Sequence, residues 1–131
     1  MGAVTFGTVK LVKGGVVSGD NKAAGTLTSS FTDYTFGGPT DLWGLSLDPA
    51  DANASNFGVA VSLEGSGWVE NYTANLIVAT GFENSVSSTV RGVVVKVRAK
   101  VDGDGLSYID SIQMNVYTEN VNVVRMVISN A

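Results

Sequence analysis

The clearest regularity along the chain is a period of two. Phe57, Val59, Val61 and Leu63 alternate with Gly58, Ala60, Ser62 and Glu64. Val93, Val95, Val97, Ala99 and Val101 alternate with Lys96, Arg98 and Lys100 at the polar positions, and Ile112, Met114 and Val116 with Ser111, Gln113 and Asn115. Successive side chains of a strand point to opposite faces, so these segments predict strands with one face in a core and one in water. The same reading gives strands over 4–13 and 121–129, the latter placing Val124, Met126 and Ile128 together, and a short return strand at Val16-Val17-Ser18 after a Gly14-Gly15 turn. It gives an irregular strand over 26–34 and a further strand over 72–80 with Leu76 and Val78 inward.

The stretch 41–61 organises the rest. Leu42, Trp43, Leu45 and Leu47 are apolar on more than one face, as in a strand covered from both sides, and Trp43 is expected in the core. Asp48 followed by Pro49 forms a helix-start signal, and the helix runs one or two turns, over about 49–54. Loops are expected at Phe36-Gly37-Gly38-Pro39, Gly65-Ser66-Gly67 and Asp102-Gly103-Asp104-Gly105. The sum is about eight or nine strands with almost no helix. The predicted fold is a single all-β domain over residues 1–131, an antiparallel β-sandwich of jelly-roll type.

Composition narrows the chemistry. With 16 Gly, 2 Pro and many Val and Thr, the chain favours strands joined by tight turns. There is no Cys and no His, which excludes disulfides, thiolate chemistry, Ser-His and Cys-His nucleophiles and nearly all zinc sites. A net charge of −4 argues against nucleic acid as a partner. No apolar run approaches the ~20 residues that span a bilayer as a helix, so no membrane partner is expected, and residues 1–17 lack the continuous apolar core of a secretory leader.

Asp102-Gly103-Asp104-Gly105 could start a calcium loop, but a Gln stands at position 113, where the bidentate acid of such a loop belongs. A hairpin turn is the stronger reading, and no metal or other cofactor is expected. The acids show no pairing suited to glycoside hydrolysis, and Asp110 belongs on a polar strand face or at a strand start, so no catalytic residue is assigned and no enzyme is expected. Arg91, Lys96, Arg98 and Lys100 form a basic stripe with no acid between them in sequence, which either grips an acidic partner or is a solvated face that discourages edge-to-edge aggregation. Trp68 and Tyr72 are candidates for an exposed stacking surface, which would suit a glycan. Asn53 and Asn71 open Asn-x-Ser/Thr triplets, read as accidental.

Several phrases occur together: Val9-Lys10-Leu11-Val12, Gly19-Asp20-Asn21-Lys22-Ala23, Asp41-Leu42-Trp43-Gly44-Leu45, Asn56-Phe57-Gly58-Val59-Ala60-Val61, Val90-Arg91-Gly92-Val93-Val94-Val95 and Ile109-Asp110-Ser111-Ile112. The set resembles β-sandwich domains of tailed-phage virion and prophage structural proteins. Its order is permuted: in that group the segment like 76–101 precedes the one like 9–61. The resemblance implies a non-enzymatic virion component (capsid decoration, tail or fibre) that is made in a host cytoplasm and assembles with other virion proteins and with itself, as a trimer in many such cases. The expectations from other classes are a carbohydrate-binding module and an engineered or permuted scaffold without ligand.

Overall fold

The structure, a computed structural model, describes residues 3–66, 72–73, 77–80, 86, 88–102, 107–118 and 123–129, with side chains described over 4–64, 86, 88–102 and 107–118. Among the described residues, nine strands and one short helix follow in chain order: β1 Ala3–Lys13, β2 Val16–Ser18, β3 Thr32–Gly38, α1 Pro49–Asn53, β4 Gly58–Ser66, β5 Tyr72–Thr73, β6 Ile77–Thr80, β7 Val90–Val101, β8 Ser107–Thr118 and β9 Val123–Ser129. Two are very short, β2 with three residues and β5 with two, which leaves seven strands of four residues or more. All pairings are antiparallel. One sheet runs β2-β1-β4-β5 with β6 also on β4, and the other runs β3-β7-β8-β9.

The alternating positions explain why the two sheets share one core. Val9, Leu11, Val59 and Val61 of the first sheet are fully buried, as are Val93, Val95, Val97, Met114 and Val116 of the second, and all belong to one cluster. Phe6 on β1 meets two rings of β3 edge-on, Tyr34 at 5.0 Å and Phe36 at 5.1 Å between centroids. The architecture is therefore an all-β sandwich of two antiparallel sheets. The β1–β2 hairpin closes where Gly14 (φ 60°) and Gly15 (φ 80°) take two positive φ values in succession, as a tight hairpin turn requires.

Three register shifts break the period of two. Gly7 in β1, Arg91 in β7 and Asp110 in β8 are each the extra residue between consecutive paired positions. Each shift returns an apolar residue three positions away to the same interior: Phe6 and Val9, Val90 and Val93, Ile109 and Ile112 are all buried.

The stretch 42–47 is not a strand. Leu42–Leu45 form a turn in which the Leu45 amide donates to the Leu42 carbonyl (2.9 Å) and Trp43 and Gly44 have φ of 59° and 73°. The run is apolar because Trp43 plunges into the core at 0% exposure, not because a strand is covered on both sides. Its indole Nε1–H donates to the Val93 carbonyl at 2.8 Å. Conversely, Phe36-Gly37-Gly38 is not a loop but the end of β3, paired with Val95, Val94 and Val93. Gly37 adopts φ of 83° there, and a Cβ at this position would strike the Val93 carbonyl and the Trp43 indole. Gly65 and Ser66, expected in a turn, extend β4 against Val4 and Ala3. The strand expected over 26–34 is reduced to an isolated Thr5–Thr26 bridge before β3 begins at Thr32. The strand expected over 72–80 is divided into β5 and β6, both on β4, and Leu76 lies outside the described residues. The helix α1 lies where Asp48-Pro49 predicts it, with the Asp48 amide donating to Asp51 Oδ2 at 2.9 Å.

Two substitutions test this packing. Phe57 is 1% exposed, so Phe57→Ala is expected to cost about 3–5 kcal/mol in urea unfolding; a loss below about 1 kcal/mol places the ring outside the core. Gly37→Ala is expected to cost about 1–3 kcal/mol from backbone strain before its contact with the indole is added, and an unchanged urea midpoint contradicts the geometry of the β3 end.

Candidate functional site

The basic residues singled out in the sequence fall on one strand, β7, near the middle of the second sheet. Lys96, Arg98 and Lys100 occupy alternate positions and are half-buried, while the residues between them are buried, so all three lie on the sheet's outer face. Arg91 is exposed at the bulge. Neighbouring strands set what stands beside each. Lys96 lies between Thr35 of β3 and Gln113 of β8, Arg98 between Asp33 and Ser111, and Lys100 beside Tyr108.

The structure corrects the picture of a uniformly basic stripe. Acids absent from the β7 sequence arrive from both flanking strands. Arg98 meets Asp33 of β3 at 3.4 Å through Nη1 and Asp110 of β8 at 3.5 Å through Nε. Asp110 can do so because it is the bulged residue of β8, and it stands on the polar face where its sequence setting put it. Lys100 is held between rings, its Nζ 4.7 Å from the Phe31 centroid and 5.4 Å from that of Tyr108, and Arg98 also covers Phe31 at 5.6 Å. The Tyr108 hydroxyl donates to Asp102 Oδ2 at 3.2 Å. Exposed pairs of this kind contribute about 0–1 kcal/mol each. Their larger consequence is order: they fix long side chains against the sheet. Sequence reasoning missed Phe31 and Asp33, whose roles depend on cross-strand register; once the β3–β7 pairing is known, Asp33 opposite Arg98 is legible.

Of the aromatic candidates, Trp68 lies outside the described residues, and Tyr72 is placed only by its backbone, on β5 opposite Gly65. The stacking surface expected of Trp68 and Tyr72 therefore lies outside the described side chains. Tyr34 is tied down by its hydroxyl, which donates to the Thr26 carbonyl at 2.9 Å, while Tyr108 remains 42% exposed. The turn at 103–105 also lies outside the described residues. Among the described residues, no three acids gather where a metal ion could be held, and no helix is long and apolar enough to cross a membrane. Asn53, the first residue of a glycosylation triplet, bonds through both amide atoms: Nδ2–H donates to the Val86 carbonyl (2.8 Å) and Oδ1 accepts the Val86 amide (2.7 Å).

A second polar cluster lies over Trp43. Lys22 reaches Asp41 at 2.8 Å and Asp20 at 3.8 Å, with its ammonium 5.9 Å from the indole centroid. Asp41 Oδ1 also accepts the Trp43 amide at 2.8 Å. The Lys22 hydrogen bond, followed by that amide, holds the Asp41 carboxyl below the usual carboxylate range. The arrangement is a loop clamp that ties Asp20, Lys22, Asp41 and Trp43 to one another.

Comparison of the chain with models of known families, with curated proteins and with solved structures finds no match.

The depressed Asp41 pKa fixes a sign. Its folded value lies below the unfolded one, so the pair's stabilisation is present above the unfolded carboxylate pKa of about 3.9 and lost as pH falls through the folded value. Asp41→Asn is expected to destabilise the protein at neutral pH, and its deficit relative to the parent should shrink as both are acidified in parallel urea titrations. A deficit that stays constant to strongly acidic pH means that Asp41 is not ionised in a clamp.

Proposed function

We propose that this chain is a non-enzymatic structural protein of a phage-type particle, a capsid decoration, tail or fibre component that works through protein–protein surfaces and self-association. The jelly-roll-like description of the sandwich belongs to the same proposal, and is supported by the chain's repeated passage between sheets, from β2 to β3, from β3 to β4 and from β6 to β7.

The observation that carries the reading is the outer face of the β3-β7-β8-β9 sheet. Its two central strands have 12 residues each. They present Lys96 beside Thr35 and Gln113, and Arg98 beside Ser111, as a broad polar plate instead of a cleft. Such a plate recognises another protein's surface by shape and charge. Arg98 is neutralised by its own neighbours, whereas no acid lies within ion-pair distance of Lys96 or Lys100 among the described residues. These two lysines are the charges the plate offers an acidic partner, while Arg98 and its acids hold the plate in shape. The kind of assembly is taken from the resemblance of the chain's phrases to tailed-phage sandwich domains.

Mass spectrometry and cryo-electron microscopy of particles from a producing host should find the chain in a fixed copy number on the particle exterior. A particle complete without it ends the proposal. The double variant Lys96→Glu, Lys100→Glu should fold normally and attach at least about tenfold more weakly, with attachment of the parent also loosening as salt is raised.

A further inference from the structure

The sandwich ends in edges that are not alike. Among the described residues, the first sheet is bounded by strands of three, two and four residues. The second sheet is bounded by two strands of seven, β3 and β9. The regular course of β3 is interrupted at Gly37, whose φ is 83°, and Pro39 follows directly after its end. β9 has no such guard. Its sequence Val-Val-Arg-Met-Val-Ile-Ser contains no Gly, no Pro and no acid, and Arg125 is its single charge. It pairs with β8 throughout, from Val123 opposite Tyr117 to Ser129 opposite Ser111, and no strand of the described residues pairs with its other side. A long edge of this composition presents a row of backbone donors and acceptors to any strand that fits.

We propose that β9 is a homotypic docking edge, pairing antiparallel with β9 of a second copy about a twofold axis at Met126. This rests on the self-association reading above and names its contact. Register and charge both select this occupant. Met126 is the midpoint of β9, so the axis there is the one that pairs all seven residues, Val123 with Ser129, Val124 with Ile128, Arg125 with Val127 and Met126 with itself. Positions 124, 126 and 128 stand opposite Val116, Met114 and Ile112, which are buried. The twofold axis pairs these three positions among themselves, so the two sheets join without a change of face. An axis one residue earlier would set Arg125 against Arg125, and like charges directly opposite one another destabilise a strand pair. An axis one residue later would set Arg125 against Ser129 but leave Val123 and Val124 outside the seven-residue pairing, whereas at Met126 each arginine meets a valine and every residue of β9 is paired. The joined sheet also carries the two polar plates side by side, doubling the surface offered to a particle.

The absence of cysteine from the chain makes the register directly testable. Single cysteines are placed in the full chain at Met126, Arg125 and Val127, and a short bis-maleimide is added after light scattering has measured the mass of the parent. Met126→Cys should cross-link to itself. Arg125→Cys and Val127→Cys should each cross-link poorly alone and readily when mixed. Should Met126→Cys not fold, the mixed pair reads the same register. An oligomer that gives neither cross-link overturns the β9 pairing and leaves self-association standing. A parent that is monomeric at every concentration overturns both.

Discussion

One buried indole holds the irregular half of this sandwich together. Trp43 takes a positive φ that a bulky residue adopts only at a cost of about 1–2 kcal/mol. What offsets that cost is convergence. The Trp43 amide donates to Asp41, its carbonyl accepts the Asp20 amide at 2.7 Å, and its ring nitrogen donates to the Val93 carbonyl inside the core. Asp41 in turn accepts the Val93 amide through its own carbonyl at 3.0 Å and grips Lys22 with its carboxylate. Three separate loops or strands, around residues 20, 41 and 93, thus meet on a single residue. The indole has a large apolar body and one donor, which suits a site where a sheet must be capped and a stray carbonyl satisfied.

That capping explains why the end of β3 is built from glycine. The ring lies against Gly37, so β3 can run on to Gly38 only if position 37 carries no Cβ and can take a positive φ. Phe36, one residue earlier, points into the core and meets Phe6 across the two sheets. The loop-like composition of 36–38 and the strand-like composition of 42–47 therefore have one cause. Small residues are required where the tryptophan lands, and apolar ones where it enters. Read by local propensity, each segment takes the identity of the other.

The regular half of the fold was far more legible. β7 and β8 show their period of two in plain view, and the burial of Val93 through Val101 and of Ile112 through Val116 follows it. The departures from that period were legible in principle as well. An apolar residue three positions before a strictly alternating run cannot share its face unless an extra residue intervenes. Phe6 before Val9, Val90 before Val93 and Ile109 before Ile112 all present that conflict, and in each the chain resolves it with a bulge. What no single strand could disclose was the company across the sheet. The acids that neutralise Arg98 come from segments 65 residues earlier and 12 residues later in the sequence, and only the register brings them together.

The bulge at Asp110 shows how such a defect shapes a surface. With unbroken alternation, Ile109 and Ile112 would lie on opposite faces of β8, one of them in water. The extra residue buries both and carries the Asp110 carboxylate onto the outer face, where Arg98 already stands. Arg98 is then clamped from both flanks and lies over Phe31, whose ring it shares with Lys100. A guanidinium so occupied has little left to give a partner, because any new contact must first displace two carboxylates. Lys96, between Thr35 and Gln113, is under no such restraint. The positive charge that the sequence spreads evenly over four basic residues is therefore least compensated at the positions that the register leaves beside neutral neighbours. Since register and bulges set that division, substitutions that shift β8 by one residue would change the charge pattern of the plate without altering a single basic residue.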